Sequence, residues 1–130
     1  MRTFRLFTLI TAGVLGAAGL AACSDDDEGG SGNGGEKIAV TATDADCQVA
    51  KTQLAAGPYT FVVSNKGSKE TEFYIYAAGN KIKAEVEHIG PGVTRDVNVE
   101  LAEGGYEGAC KPGMKGDGIR VTLTVTGKAS

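Results

Sequence analysis

The chain offers few groups that could do chemistry: three cysteines, one histidine and two methionines in 130 residues. Cys23 follows Leu20-Ala21-Ala22, Cys47 follows Asp46, and Cys110 ends the run Gly105-Tyr106-Glu107-Gly108-Ala109. Met114 comes four residues after Cys110, and Glu72 and Glu107 sit within strand-like stretches. Thiolates, a thioether and carboxylates suit Cu(I), Cu(II) or Zn better than ferric iron alone. Cys47 and Cys110 are therefore candidate metal ligands, together with Glu72 and Glu107 or with Met114. A disulfide between Cys47 and Cys110 is the alternative; closing a loop of about 60 residues would stabilise the fold by about 3–4 kcal/mol. Glu72 and Glu107 also read as outward strand acids, and Met114 as a packing residue. The single histidine, His88, excludes every two-imidazole site, including two-His zinc and the usual blue-copper centre. No Ser-His-Asp set assembles around it. The glycines at 30–35 lack the Lys-Ser/Thr pair and the strand-to-helix setting of a phosphate loop. The chain does not read as an enzyme.

The strands that carry these residues follow an export segment. Arg2 and Arg5 precede residues 6–22, which carry no charge and end in Leu20-Ala21-Ala22-Cys23. A basic start, a short apolar stretch and small residues before a cleavage point make a secretory signal, too short and too rich in Gly and Ala for a membrane span. The Leu-Ala-Ala-Cys end resembles the lipobox of bacterial lipoproteins. That likeness implies a signal peptide over 1–22, acylation of Cys23 (a palmitate-type anchor), and a place in the cell envelope on the extracytoplasmic side. The membrane would be held through the lipid alone. Loss of Arg2 and Arg5 would take the formal charge from −3 to −5. Residues 23–36 then form a tether: positions 24–36 hold five acids, five glycines and no apolar side chain, which cannot bury enough surface to offset ordering. An acidic chain is not built to hold nucleic acid by charge.

The folded part runs over 37–130. Val97, Val99 and Leu101 alternate with polar residues, as do Ile119, Val121, Leu123 and Val125; a period of two means one buried face per strand. Phe61 and Val63 follow the same rule, which Val62 breaks. Turn residues at Ala56-Gly57, Asn65-Lys66-Gly67, Gly79-Asn80, Gly90-Pro91-Gly92 and Gly104-Gly105 punctuate eight predicted strands. These run over 37–43, 47–54, 58–64, 72–77, 81–87, 94–101, 105–110 and 118–126. Tyr74 and Tyr76 share a strand face opposite Phe73 and Ile75. The spacing predicts an all-β, Greek-key β-sandwich of about seven to eight strands. Its core is small, since two of the four phenylalanines (Phe4 and Phe7) lie in the signal segment; a cross-link or metal would help.

Two stretches resemble the cupredoxins. Residues 105–125 run strand, Cys110, Pro/Gly loop, Met114 and strand, as in the ligand loop where that family carries Cys, His and often Met for copper. Residues 47–65 resemble its edge strand, turn and Asn-terminated strand, after which Glu72 stands where the first copper His would be. No His lies between Cys110 and Met114, and His88 is in the wrong region to supply one, so blue-copper electron transfer is not implied. The sequence more closely resembles the cupredoxin-like domain that opens EfeO, the extracytoplasmic protein of a bacterial iron-uptake system, than a blue-copper cupredoxin. The likeness rests on Cys47 in Asp46-Cys47-Gln48, Glu72, the stretch from Glu85 to Gly92, and Gly105-Tyr106-Glu107 before Cys110. It implies binding or passing of an iron or copper ion without an organic cofactor, beside an iron-uptake permease or a peroxidase-like partner. Gln48-Val49 replaces the Glu-Pro usual there. The long helical domain of many EfeO proteins has no counterpart before Ser130. The contrasting expectation is a metal-free, disulfide-stapled sandwich that binds another envelope protein.

Overall fold

The computed structural model describes residues 35–128. The signal segment 1–22, the acylation of Cys23 and all but the last two positions of the tether therefore fall outside the described residues. The first strand already takes in Glu36, assigned to the tether from sequence, because its carboxylate meets the Lys51 ammonium at 2.8 Å and its backbone pairs with Tyr59.

Nine strands lie among the described residues: β1 (Glu36–Ala42), β2 (Cys47–Val49), β3 (Gln53–Ala55), β4 (Gly57–Asn65), β5 (Thr71–Ala77), β6 (Lys81–Ile89), β7 (Thr94–Leu101), β8 (Gly104–Cys110) and β9 (Ile119–Thr126). They form two sheets, ordered β2-β1-β4-β7 and β3-β9-β8-β5-β6. The all-β sandwich expected from the alternation is thus present, with one more strand. The predicted strand over 47–54 is two short strands in different sheets: β2 pairs antiparallel with β1, and β3 parallel with β9. Between them the chain crosses the side of the sandwich. Ala50 donates its N–H to Ala39 in one sheet, and Thr52 accepts from Thr124 in the other. Apolar residues bracket both halves, so periodicity alone shows no break.

The inward faces meet around Phe61 and Phe73, each fully buried, with ring centroids 5.9 Å apart. Ile38, Val40, Val63, Ile75, Leu101, Leu123 and Val125 complete this centre. Val97, Leu123 and Val125 are inward as their spacing requires, and Ile119, Val121 and Val99 pack against the core half-buried. Val62 is only half-buried because it lies on the outward face of β4. Beside it Thr60 is buried by its bond to Asn98 across the ladder, 2.6 Å.

At the end of β4, Asn65 organises the connections. Its amide donates to the carbonyls of Lys69 (2.7 Å) and Ile89 (2.8 Å) and accepts from Gly67 N–H at 2.9 Å. Its backbone also bonds Val93 and Gly92. One residue thus ties the β4–β5 and β6–β7 connections together. A buried polar group that loses its partners costs about 1–3 kcal/mol each time. Asn65→Ala should therefore lower stability by about 2–4 kcal/mol, read as a fall in the urea midpoint at unchanged slope.

Candidate functional site

The two domain cysteines are brought together. Cys47 opens β2 and Cys110 ends β8, on the facing inner sides of the two sheets, and they form a disulfide with Cα atoms 5.6 Å apart. The bond is enclosed, with Cys110 fully buried and Cys47 at 4% exposure. Of the two sequence alternatives for these residues, the cross-link is therefore the one present, and it places the domain in an oxidising, extracytoplasmic compartment.

The remaining members of the candidate ligand set are not gathered around that bond. Phe73 pairs with Cys110 across the β5–β8 ladder, and both point into the core. Glu72, one position earlier, falls on the opposite face of β5. Glu107 is three positions before Cys110 on β8, so the two-residue period also turns it outward. There it pairs with Arg120 at 3.1 Å. The acids and the sulfurs are thus on opposite faces of one sheet, a separation that follows from strand parity. Met114 lies in the loop after Cys110, with φ of 56° and its N–H donated to Lys111 at 2.9 Å. Among the described residues, no group of three or more His, Cys, Asp or Glu side chains is placed to hold a metal ion.

His88 ends up nearer to this loop than its place in the sequence indicated. At φ 55° it lies in the bulge of the β5–β6 ladder between Val86 and Ile89, and its Nδ1 lies 3.0 Å from Glu70 Oε1. The backbone carbonyl of that same Glu70 accepts the N–H of Gly113, and Glu72 accepts from Lys111. The Glu70–His88 pair and the Met114 loop therefore share one end of the sandwich. Glu70 had no motif to mark it; only the turn of the chain before β5 places it there. The donor set still does not fit a blue-copper ion, which needs two imidazoles and a free thiolate.

A second cluster occupies the outward face of the five-stranded sheet. Tyr74 and Tyr76 stack at 5.5 Å and 8°, with Ala109 fully buried beside them. Lys111 Nζ stands 4.1 Å from the Tyr74 ring centre and the Arg120 guanidinium 4.3 Å from that of Tyr76. Here cations, not a second sheet, cover aromatic surface. Arg120 also reaches Asn80 Oδ1 (3.2 Å) and the carbonyl of Asp117 (2.9 Å). A depression of 310 Å³ adjoins it, lined in part by Tyr76, Asn80, Tyr106, Glu107, Arg120 and Thr122. Burial pushes the Tyr74 hydroxyl well above the ordinary tyrosine range. Its bond to Glu87 (2.8 Å) and the carboxylates of Glu72, Glu87 and Glu85 act in the same direction.

The family whose description is Cupredoxin-like domain matches residues 12–125. No curated protein sequence matches the chain. Among solved structures, the reduced auracyanin of the photosynthetic bacterium Roseiflexus castenholzii superposes with a TM-score of 0.53 at 15% identity. It covers 72% of this chain and 98% of its own. An azurin from the methylotroph Methylomonas sp. strain J gives 0.52 at 12% identity, with the same coverage of 72% and 98%. At such identities the likeness is one of fold.

Two outcomes follow from this geometry. Replacing Cys47 and Cys110 by alanine should cost about 4 kcal/mol from chain entropy, seen as a lowered urea midpoint; an unchanged midpoint would refute the staple. For Tyr74, folding favours the protonated phenol. Its contribution is therefore whole below the ordinary value of 10.0 and is lost as pH rises through the elevated one. The melting temperature should drop more steeply above about pH 10 in the wild type than in Tyr74→Phe, measured by calorimetry across that range.

Proposed function

The chain belongs to the cupredoxin-like domain family, and from that premise we propose that it serves as a non-catalytic binding module of the cell envelope, held to a membrane through lipid on Cys23. In this reading the Cys47–Cys110 disulfide takes the place of a metal centre in stabilising the sandwich, and the domain binds another envelope protein. The observation that carries it is the state of Cys110. This residue ends the strand before the Met114 loop, where the cupredoxin resemblance puts a thiolate ligand, and its sulfur is bonded to Cys47. A sulfur in a disulfide has no thiolate pair to give a metal. A blue-copper electron-transfer role does not fit, because His88 is the single imidazole.

A second reading is supported by a specific distance. With Cα atoms 5.6 Å apart, reduction would leave two thiolates side by side. Two soft sulfurs side by side suit Cu(I), Cu(II) or Zn. That is the form in which an EfeO-like handling of copper or iron, beside a permease or peroxidase-like partner, would operate.

A thiol count and a metal titration separate the two. In the unfolded but unreduced full chain, neither Cys47 nor Cys110 should react with a thiol reagent. The oxidised protein should take up neither copper nor iron above background by elemental analysis. Stoichiometric uptake by the oxidised form would overturn the first reading. Uptake by the reduced wild type, lost in Cys110→Ser, would establish the second.

A further inference from the structure

The enclosed disulfide is closed off by elements of very unequal strength. Cys110 belongs to β8, which is paired on both sides, to β5 and β9. Cys47 belongs to β2, three residues at the edge of its sheet, joined to β1 through Val40↔Val49, Thr41↔Gln48 and Ala42↔Cys47. Val49 also covers β8 at Gly108, where an added Cβ would meet its Cγ2 at 3.8 Å. An edge strand this short is among the first parts of a sheet to open.

The approach to β2 is held by side chains. In the turn before it, Thr43 Oγ1 accepts the N–H groups of Ala45 (3.2 Å) and Asp46 (2.9 Å), and Asp46 Oδ1 accepts that of Cys47 at 2.9 Å. The Asp44 carboxylate crosses to the β4–β5 connection, where it accepts the N–H of Ser68 at 3.0 Å, the Ser68 hydroxyl, and the N–H of Lys69 at 3.2 Å. The fit is close: a Cβ on Gly67 would lie 2.4 Å from Asp44 Oδ1 and 2.9 Å from the Asp44 nitrogen. Glycine at 67 is therefore what lets the carboxylate sit down on that loop. The Ser68 hydroxyl first, and its N–H next, hold the Asp44 carboxyl below its usual range, so the charged form that accepts these bonds is the one present at neutral pH.

We propose that residues 43–49 are a gate over the Cys47–Cys110 disulfide and that Asp44 is its latch, so that lifting this segment, and not unfolding the domain, sets the rate of reduction. The co-reactant is a dithiol. Its thiolate attacks one sulfur to give a mixed disulfide and releases the other cysteine as a thiolate, which takes up a proton. The second thiol of the reductant then resolves the mixed disulfide. The reductant leaves as a cyclic disulfide, and two electrons and two protons end on Cys47 and Cys110. The gate rests on the second reading above for its use, since the freed thiolates are the ligands considered there. Its test contains no metal, so the two can fail separately.

The experiment follows reduction of the full chain by dithiothreitol in mild urea, with alkylation and mass measurement at timed intervals. It compares the wild type, Asp44→Ala, and Pro112→Gly, which loosens the rival loop after Cys110. Asp44→Ala should speed reduction at least tenfold with a shallow dependence on urea, as a local opening does. Hydrogen exchange should quicken at residues 44–49 while β4 and β8 keep their protection, and Pro112→Gly should stay near the wild type. Faster reduction in Pro112→Gly with none in Asp44→Ala would overturn the proposal, as would a rate in Asp44→Ala that tracks global unfolding with a steep urea dependence. If Asp44→Ala does not fold, Ser68→Ala, which removes one of the latch bonds, should speed reduction about threefold; an unchanged rate would overturn the proposal equally.

Discussion

The two sheets of this domain are joined at their facing surfaces by one covalent bond, and much of the architecture can be read as what that bond requires. Its core is small, with Phe61 and Phe73 as the two phenylalanines at the centre. A sandwich of that size gains little margin from apolar burial alone. Linking Cys47 to Cys110 closes a segment with sequence separation 63 and removes much of the freedom of the unfolded chain. The crossing between β2 and β3 lets the chain set a cysteine against β8 from one sheet and then pair with β9 in the other.

Polar groups handle the places where the backbone cannot bond to itself. Asn65 satisfies a carbonyl of the β4–β5 connection and one at the end of β6 with one amide, and the Asp44 carboxylate accepts N–H groups of the loop beyond. On the outer face of the five-stranded sheet, Lys111 and Arg120 cover stacked tyrosines that a second layer would otherwise have to bury. The charged side chains of this small domain are thus part of its packing as well as of its solubility.

Much of this was legible in the residues. Alternation in β7 and β9 put Val97, Leu101, Leu123 and Val125 inside, and they are buried. Phe73 and Ile75 are opposite Tyr74 and Tyr76 as their spacing requires. The split of 47–54 into two strands was not legible, because apolar residues on both sides of Ala50 to Thr52 keep the pattern continuous while the hydrogen bonds change sheets. Nor was the Glu70–His88 pair, since two exposed residues 18 apart in the sequence leave no periodic trace.

Strand periods, the turns between them and the number of thiols and imidazoles are all legible in the residues, because each depends on residue type and near neighbours. That was enough to exclude a two-imidazole copper centre. What the remaining groups do depends on contacts between distant segments. Cys47 and Cys110 meet because two sheets bring β2 over β8. Glu72 and Glu107 turn away from them because neighbouring positions on a strand face opposite sides, and the register of β5 against β8 puts the sulfur on the inner one.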